Sequence, residues 1–222
     1  MGCLAEREWR FRPLTPLCAG NKLAAIMQAT FKSLYARFCL LFALCCLQRA
    51  AAGDTTWFDD AIPAGAWTGA DGGDAWNWAS DNPPPFYGVR AHQSNLAPGI
   101  HYHYFAEAAE TLTVGPGDTL IAHVFLDPAN PPRELMLEWF DGASWRHAAY
   151  WGENLIPWGD NGTASQQPMG ALPGAGQWVR LEVPAGLLDL EGATLKGMSF
   201  LLVDGRATWD YAGRNSNGAP PQ

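Results

Sequence analysis

Beyond residue 46 the sequence contains no cysteine; all five (Cys3, Cys18, Cys39, Cys45 and Cys46) lie before that point. A fold built after Gly53 therefore rests on its hydrophobic core and not on disulfides. Apolar runs are short. Phe38–Leu47 spans ten residues, too few to cross a hydrocarbon layer of about 30 Å as a helix. Helical periodicity is nearly absent, because Gly and Pro recur every few residues and interrupt it. Ser94, Ser144, Ser165 and Ser199 lack the G-x-S-x-G elbow, so the common serine-hydrolase signature is missing. The Asp71–Asp74 stretch (DGGD) is followed by no Lys-Ser/Thr, so there is no phosphate-cradling loop. No catalytic residue is assigned, and the expectation is a chain that is not an enzyme.

Positive charge is also scarce where the fold must lie. Residues 53–222 hold 7 Lys/Arg against 20 Asp/Glu, a formal charge of −13, whereas residues 1–52 hold 7 against 2. An acidic body is poorly suited to the phosphate contacts that dominate nucleic-acid binding, or to anionic membrane surfaces.

The basic leader reads as an address. From Met27, Lys32 and Arg37 precede the apolar run Phe38–Leu47, and Ala50-Ala51-Ala52 supplies small residues before Gly53. That is the pattern of a secretory signal peptide over 27–52, cleaved before Gly53. Residues 1–26 read as an over-extended start with no fold. The expected mature chain is exported to the periplasm or beyond, without a membrane span. It is expected to comprise a domain over 53–214 and a flexible tail over 215–222.

What the mature part has in quantity is aromatic side chains and two-residue alternation. The whole chain carries eleven tryptophans, which serve cores or flat ligand-binding surfaces. Thr119–Leu126, Arg133–Phe140, Trp178–Val183 and Leu195–Val203 alternate as strands do. Shorter candidates are Thr56–Asp59, Ala75–Ala79, Tyr87–Ala91, Ile100–Phe105, Ser144–Trp151 and Ala207–Tyr211. Asp141-Gly142 and Asp204-Gly205 carry hairpin-turn chemistry. Nine or ten short strands without crossover helices predict an all-β, antiparallel β-sandwich of jelly-roll type. Two irregular stretches, Pro63–Gly73 and Gly152–Gly176, stand out as places where function can sit.

Several long strings are distinctive: WFDDAIPAG (Trp57–Gly65), GDTLIAHVFLDPANPPRELMLEW (Gly117–Trp139), SWRHAAYWGENLIPWG (Ser144–Gly159) and GMSFLLVDGRATWDYAG (Gly197–Gly213). With MGALPGAGQWVRLEVPAGLLDLEG (Met169–Gly192) they cover about residues 56–213. Together they resemble an accessory β-sandwich module of large bacterial surface and secreted proteins, similar to carbohydrate-binding jelly rolls. The resemblance implies a binding role and brings no catalytic residues with it. The expectation here is a module that stands without an attached enzyme domain.

Candidate contacts follow from the aromatics, since rings stack on sugar faces. Trp151 and Trp158 bracket the loop Gly152–Pro157, Trp76 pairs with Trp78, and Tyr102 pairs with Tyr104. The expected ligand set is Trp151, Trp158, Tyr102 and Trp76, with Asn154 and Asp160 as hydrogen-bonding partners and a carbohydrate or cell-surface glycan as partner. Asp59, Asp60 and Asp210 form a candidate structural calcium site, because calcium takes several carboxylate and carbonyl oxygens. His101, His103 and Glu107 spell H-x-H-x3-E, the first metal motif of cupins, with His92 as a further ligand; the second cupin motif is missing. Two alternatives stay open: a structural or protein-interaction domain with core tryptophans, and a cupin-like metal-dependent enzyme.

Overall fold

The computed structural model describes residues 53–216. The expected leader, the stretch before it and the tail beyond Ser216 lie outside the described residues.

Strands come in quick succession. In chain order they are β1 (Gly53–Phe58), β2 (Trp67–Asp71), β3 (Asn77–Ala79), β4 (Ala91–Gln93), β5 (Ile100–Ala106), β6 (Leu112–Thr113) and β7 (Thr119–Leu126). There follow β8 (Glu134–Phe140), β9 (Ala148–Gly152), β10 (Gln167–Pro168), β11 (Trp178–Pro184), β12 (Thr194–Leu195), β13 (Gly197–Val203) and β14 (Ala207–Ser216). A single 3-10 turn, Ala185–Leu188, is the only helical element among the described residues.

One large sheet has the order β11-β7-β14-β4-β3, with β1 also paired to β14; the second large sheet runs β10-β9-β8-β13-β5-β2, and β12 pairs with β6 in a small third sheet. The pairs β4·β14, β5·β13, β7·β11 and β8·β9 are all antiparallel. The chain passes repeatedly from sheet to sheet, so most neighbours within a sheet are distant in sequence. That is the wrapping of a jelly roll, and the all-β sandwich expected from alternation is present.

Fourteen strands replace the nine or ten expected. The additions are β2, β6, β10 and β12, of which three have only two residues. Segments that short carry no readable alternation. β2 is interrupted by Gly69 and lies at a sheet edge, inside a stretch read as irregular. β4 lies at 91–93, past most of the expected Tyr87–Ala91 strand. Asp204-Gly205 does form a tight turn, with φ of 61° and 70°. It links β13 of one sheet to β14 of the other, so it is a corner and not a hairpin.

The core lies between the sheets. Leu135, Leu137 and Trp139 from β8 meet Leu120, Ala122 and Val124 from β7, with Phe105, Phe200 and Trp209 at the centre. Burying one such side chain stabilises by roughly 1.5–3 kcal/mol. A second, smaller apolar cluster lies on the outer face of the β8-β13 sheet. Met136, Tyr150 and Leu201 are covered there by Ile156 from the long Gly152–Gly176 loop. Glu134 holds that loop down, its carboxylate accepting the amides of Leu155 and Ile156. The loop thus covers half of the outer face and leaves the other half open.

Candidate functional site

Strand pairing determines what the open half presents. On the outer face, one row across the sheet reads Trp67, Ala106, Gly197, Phe140. The next reads Gly69, Tyr104, Ser199, Glu138, Ala148. The third begins Asp71, Tyr102, Leu201. Small residues stand between large ones, so the face is grooved. Two glycines are needed for this. A methyl group on Gly69 would come within 2.5 Å of the Tyr104 ring, and one on Gly197 would come within 2.6 Å of the Phe105 carbonyl oxygen.

The groove encloses about 310 Å³. Its aromatic walls are in mutual contact: Trp67 meets Tyr104 edge-on at 5.5 Å, and Tyr104 meets Trp145 at 5.8 Å. Trp145 stacks on Phe140 at 5.0 Å, and Trp158 stands edge-on to Tyr102 at 5.4 Å. Trp67 is 51% exposed and Trp158 37%, so apolar ring surface is open to solvent. The polar groups lining it are Glu138, Glu107, Ser199 and the tyrosine hydroxyls. The Glu138 carboxyl meets no hydrogen-bond donor among the described residues, and burial pushes it up to about 7.

The expected contacts divide. Tyr102 and Trp158 line the groove. Trp151 does not: it lies on β9 opposite Leu135, faces the core and is 7% exposed. The sequence sets it beside the Gly152–Pro157 loop, at the end of the expected Ser144–Trp151 strand, but it lies within β9, and its neighbour Tyr150 takes the outward position. Trp76 also points inward, stacked on His92 at 4.4 Å. Asn154 accepts from the Gln166 side-chain amide within the loop, and Asp160 pairs with Arg146 at 2.9 Å on the surface; neither lines the groove. Trp67, Tyr104, Trp145, Phe140 and Glu138 were missed. The signal for Tyr104 and Glu138 was already there, since both share parity with outward residues of their strands. Trp67 lay in a stretch with no alternation to read.

Opposite the groove, β5 turns its histidines inward. His103 donates from Nδ1 to Asp74 at 3.0 Å, and its Nε2 lies 2.8 Å from His92 Nδ1. His101 Nδ1 is 3.4 Å from the same Asp74 oxygen. All three rings are fully buried. Burial alone would raise the Asp74 carboxyl, but the adjacent His101 ring and the hydrogen bond from His103 outweigh it and hold the group well below the usual range. Burial, aided by the charge of His103, drives His92 far below an ordinary histidine, so it is neutral. The H-x-H-x3-E reading is corrected here. Glu107 lies on the groove side, at a φ of 58°, while the histidines face the core with both His103 nitrogens engaged. Among the described residues, no group of three or more His, Cys, Asp or Glu side chains is placed to hold a metal ion.

The expected calcium trio is split as well. Asp59 and Asp210 come together, and burial together with the Asp210 carboxyl pushes Asp59 up to about 7. Asp210 accepts the amides of Phe86, Tyr87 and Tyr211. Asp60 turns away and accepts from the amides of Val89 and Arg90. One buried oxygen of Asp59 has no partner, so the pair fits a shared proton, and fits a cation only in part.

No protein-family model matches the chain, and no curated protein matches it in sequence. Solved structures are similar in shape. A carbohydrate-binding module of the β-sandwich superfamily is 13% identical, with a TM-score of 0.44, over 75% of this chain and 64% of its own. The CBM22-1 xylan-binding domain from Paenibacillus barcinonensis is 14% identical, with a TM-score of 0.42, over 77% of this chain and all of its own. A family 11 carbohydrate-binding module of a Clostridium thermocellum cellulosomal cellulase is 12% identical, with a TM-score of 0.40, over 78% and 99%.

Proposed function

We propose that this domain is an exported, non-catalytic module that binds a carbohydrate chain in the groove over β5, β13 and β8. One observation carries the reading: aromatic rings wall a trough whose floor carries Ala106, Ser199 and Glu138, so apolar ring surface and polar groups face the same space. Sugar rings lose water from their C–H faces against such walls, while their hydroxyls meet Glu138, Ser199 and the tyrosines. The rings are already packed against one another, which lowers the cost of ordering them on binding. The contacts are Trp67, Tyr102, Tyr104, Trp145 and Trp158.

Affinity electrophoresis and calorimetry against a panel of soluble polysaccharides test this. Trp67→Ala or Tyr104→Ala is expected to abolish binding, while Trp76→Phe, on the far side of the sheet, leaves it intact. The proposal fails if no glycan binds, or if binding survives both groove variants. In that case the surface loop carrying Val89, 72% exposed, and Tyr87, 61% exposed, supports the interaction-domain alternative.

A further inference from the structure

Glu138 is an unusual floor for a sugar groove. Its neighbours across the sheet, Ser199 and Ala148, are small and leave its carboxyl open to the trough. No side-chain or backbone donor among the described residues satisfies it. A second carboxylate, Glu107, also lines the trough, and no Lys, Arg or His does. At one end Asp71 accepts from the Tyr102 hydroxyl at 3.4 Å, adding a third acid near the rim. The nearby cation Arg146 is already paired with Asp160. Aromatic rings surround these acids, and ring faces attract cations as carboxylates do. An anionic sugar would be repelled by the trough and by a domain of charge −13. A neutral sugar would leave Glu138 without a counter-charge.

We propose that the groove selects an amino sugar bearing a free ammonium group, as in a deacetylated glucosamine chain, with the ammonium against Glu138 and inside the ring of aromatics. This rests on the sugar-binding reading above and names its ligand class. Burial that raises the Glu138 carboxyl to about 7 agrees with a site short of one cation. N-acetylation would remove the charge and leave the same sugar ring, so acetylation state is what the site would read.

Calorimetry on the purified protein, with glucosamine hexamer, N-acetylglucosamine hexamer and cellohexaose in parallel, tests the proposal. Glucosamine hexamer is expected to bind about tenfold tighter than either neutral hexamer, the size of one charge-assisted hydrogen bond. Glu138→Gln is expected to erase that preference, so that on this variant glucosamine hexamer and cellohexaose bind within about twofold of each other; Glu107→Gln is expected to weaken the preference by a smaller factor. A cooperative melt no lower than that of the unsubstituted protein, in both variants, separates lost recognition from lost fold. Equal binding of all three hexamers overturns the ammonium assignment and leaves the sugar groove standing. Competition by polylysine as effective as by glucosamine hexamer also overturns it, since the groove would then be only an acidic surface. Binding by none of the three overturns the ammonium assignment, and the sugar-binding reading falls with it if the polysaccharide panel is also negative.

Discussion

The two faces of the sheet that holds β5, β13 and β8 treat a carboxylate in opposite ways. On the inner face Asp74 is buried against two histidines and kept ionised. On the outer face Glu138 is partly buried, meets no donor among the described residues, and is pushed towards the protonated form. One strand, β5, feeds both sides: His101 and His103 point in, Tyr102 and Tyr104 point out. Burial alone therefore does not fix a group's charge state; the partners it is buried with do. A satisfied carboxylate is structure. An unsatisfied one opening on a groove is available to a ligand.

The largest break in this comparison should come from the inner face. Phe200 touches Phe58, Trp76, His92, His103 and Trp209. Phe200→Ala is expected to cost about 3–5 kcal/mol, read by chemical denaturation. Next comes Asp74→Ala, which strands the His103 donor; a loss of about 1–3 kcal/mol is expected, and a change below about 0.5 kcal/mol would contradict the role given to this network. On the outer face Trp67→Ala should shift stability by under about 1 kcal/mol, because the ring is half exposed, yet remove binding. Stability and binding would thus be lost from opposite sides of one sheet.

Acid and base titration sharpens the same contrast. Asp74 has a depressed folded pKa, so its contribution is present above the unfolded value of 3.8 and is lost as pH falls. Glu138 has a raised one. Between its ordinary 4.5 and about 7 the folded state holds a proton that the unfolded state has released, so stability falls as pH rises through that window. Asp59, also raised to about 7 from 3.8, acts in the same direction. Glu138→Gln with Asp59→Asn is expected to flatten the neutral limb of a melting-temperature profile, and Asp74→Asn the acid limb. The smallest expected effect concerns the Asp59–Asp210 pair. Calcium would need both carboxylates ionised and would reverse the sign of the Asp59 contribution. With a shared proton, added calcium should leave the neutral-pH melting temperature unchanged, and a rise would restore the cation reading.

Much of this was legible in the chain. Strand β7 coincides with the expected Thr119–Leu126, and the alternation of IHYHYFA separated histidines from tyrosines correctly. Trp151 and Trp76 misled because a tryptophan next to irregular sequence can serve either face until strand pairing assigns it a side. The parity of Glu138 placed it on the outward face, but nothing local marked it as unpartnered, since one acid in an apolar strand is common on solvent faces. Its lack of partners depends on Ser199 and Ala148, which β13 and β9 bring from far along the sequence.

The sequence by itself determined the class of fold and the alternation within the longer strands, because side chains alternate every residue and apolar ones must leave water. Only the tertiary structure decided which outward face stays open. That depended on a 25-residue stretch, 152–176, folding over half of one sheet, and on residues far apart in the chain meeting across three strands. Such contacts are set by packing between distant segments, and local pattern carries no record of them.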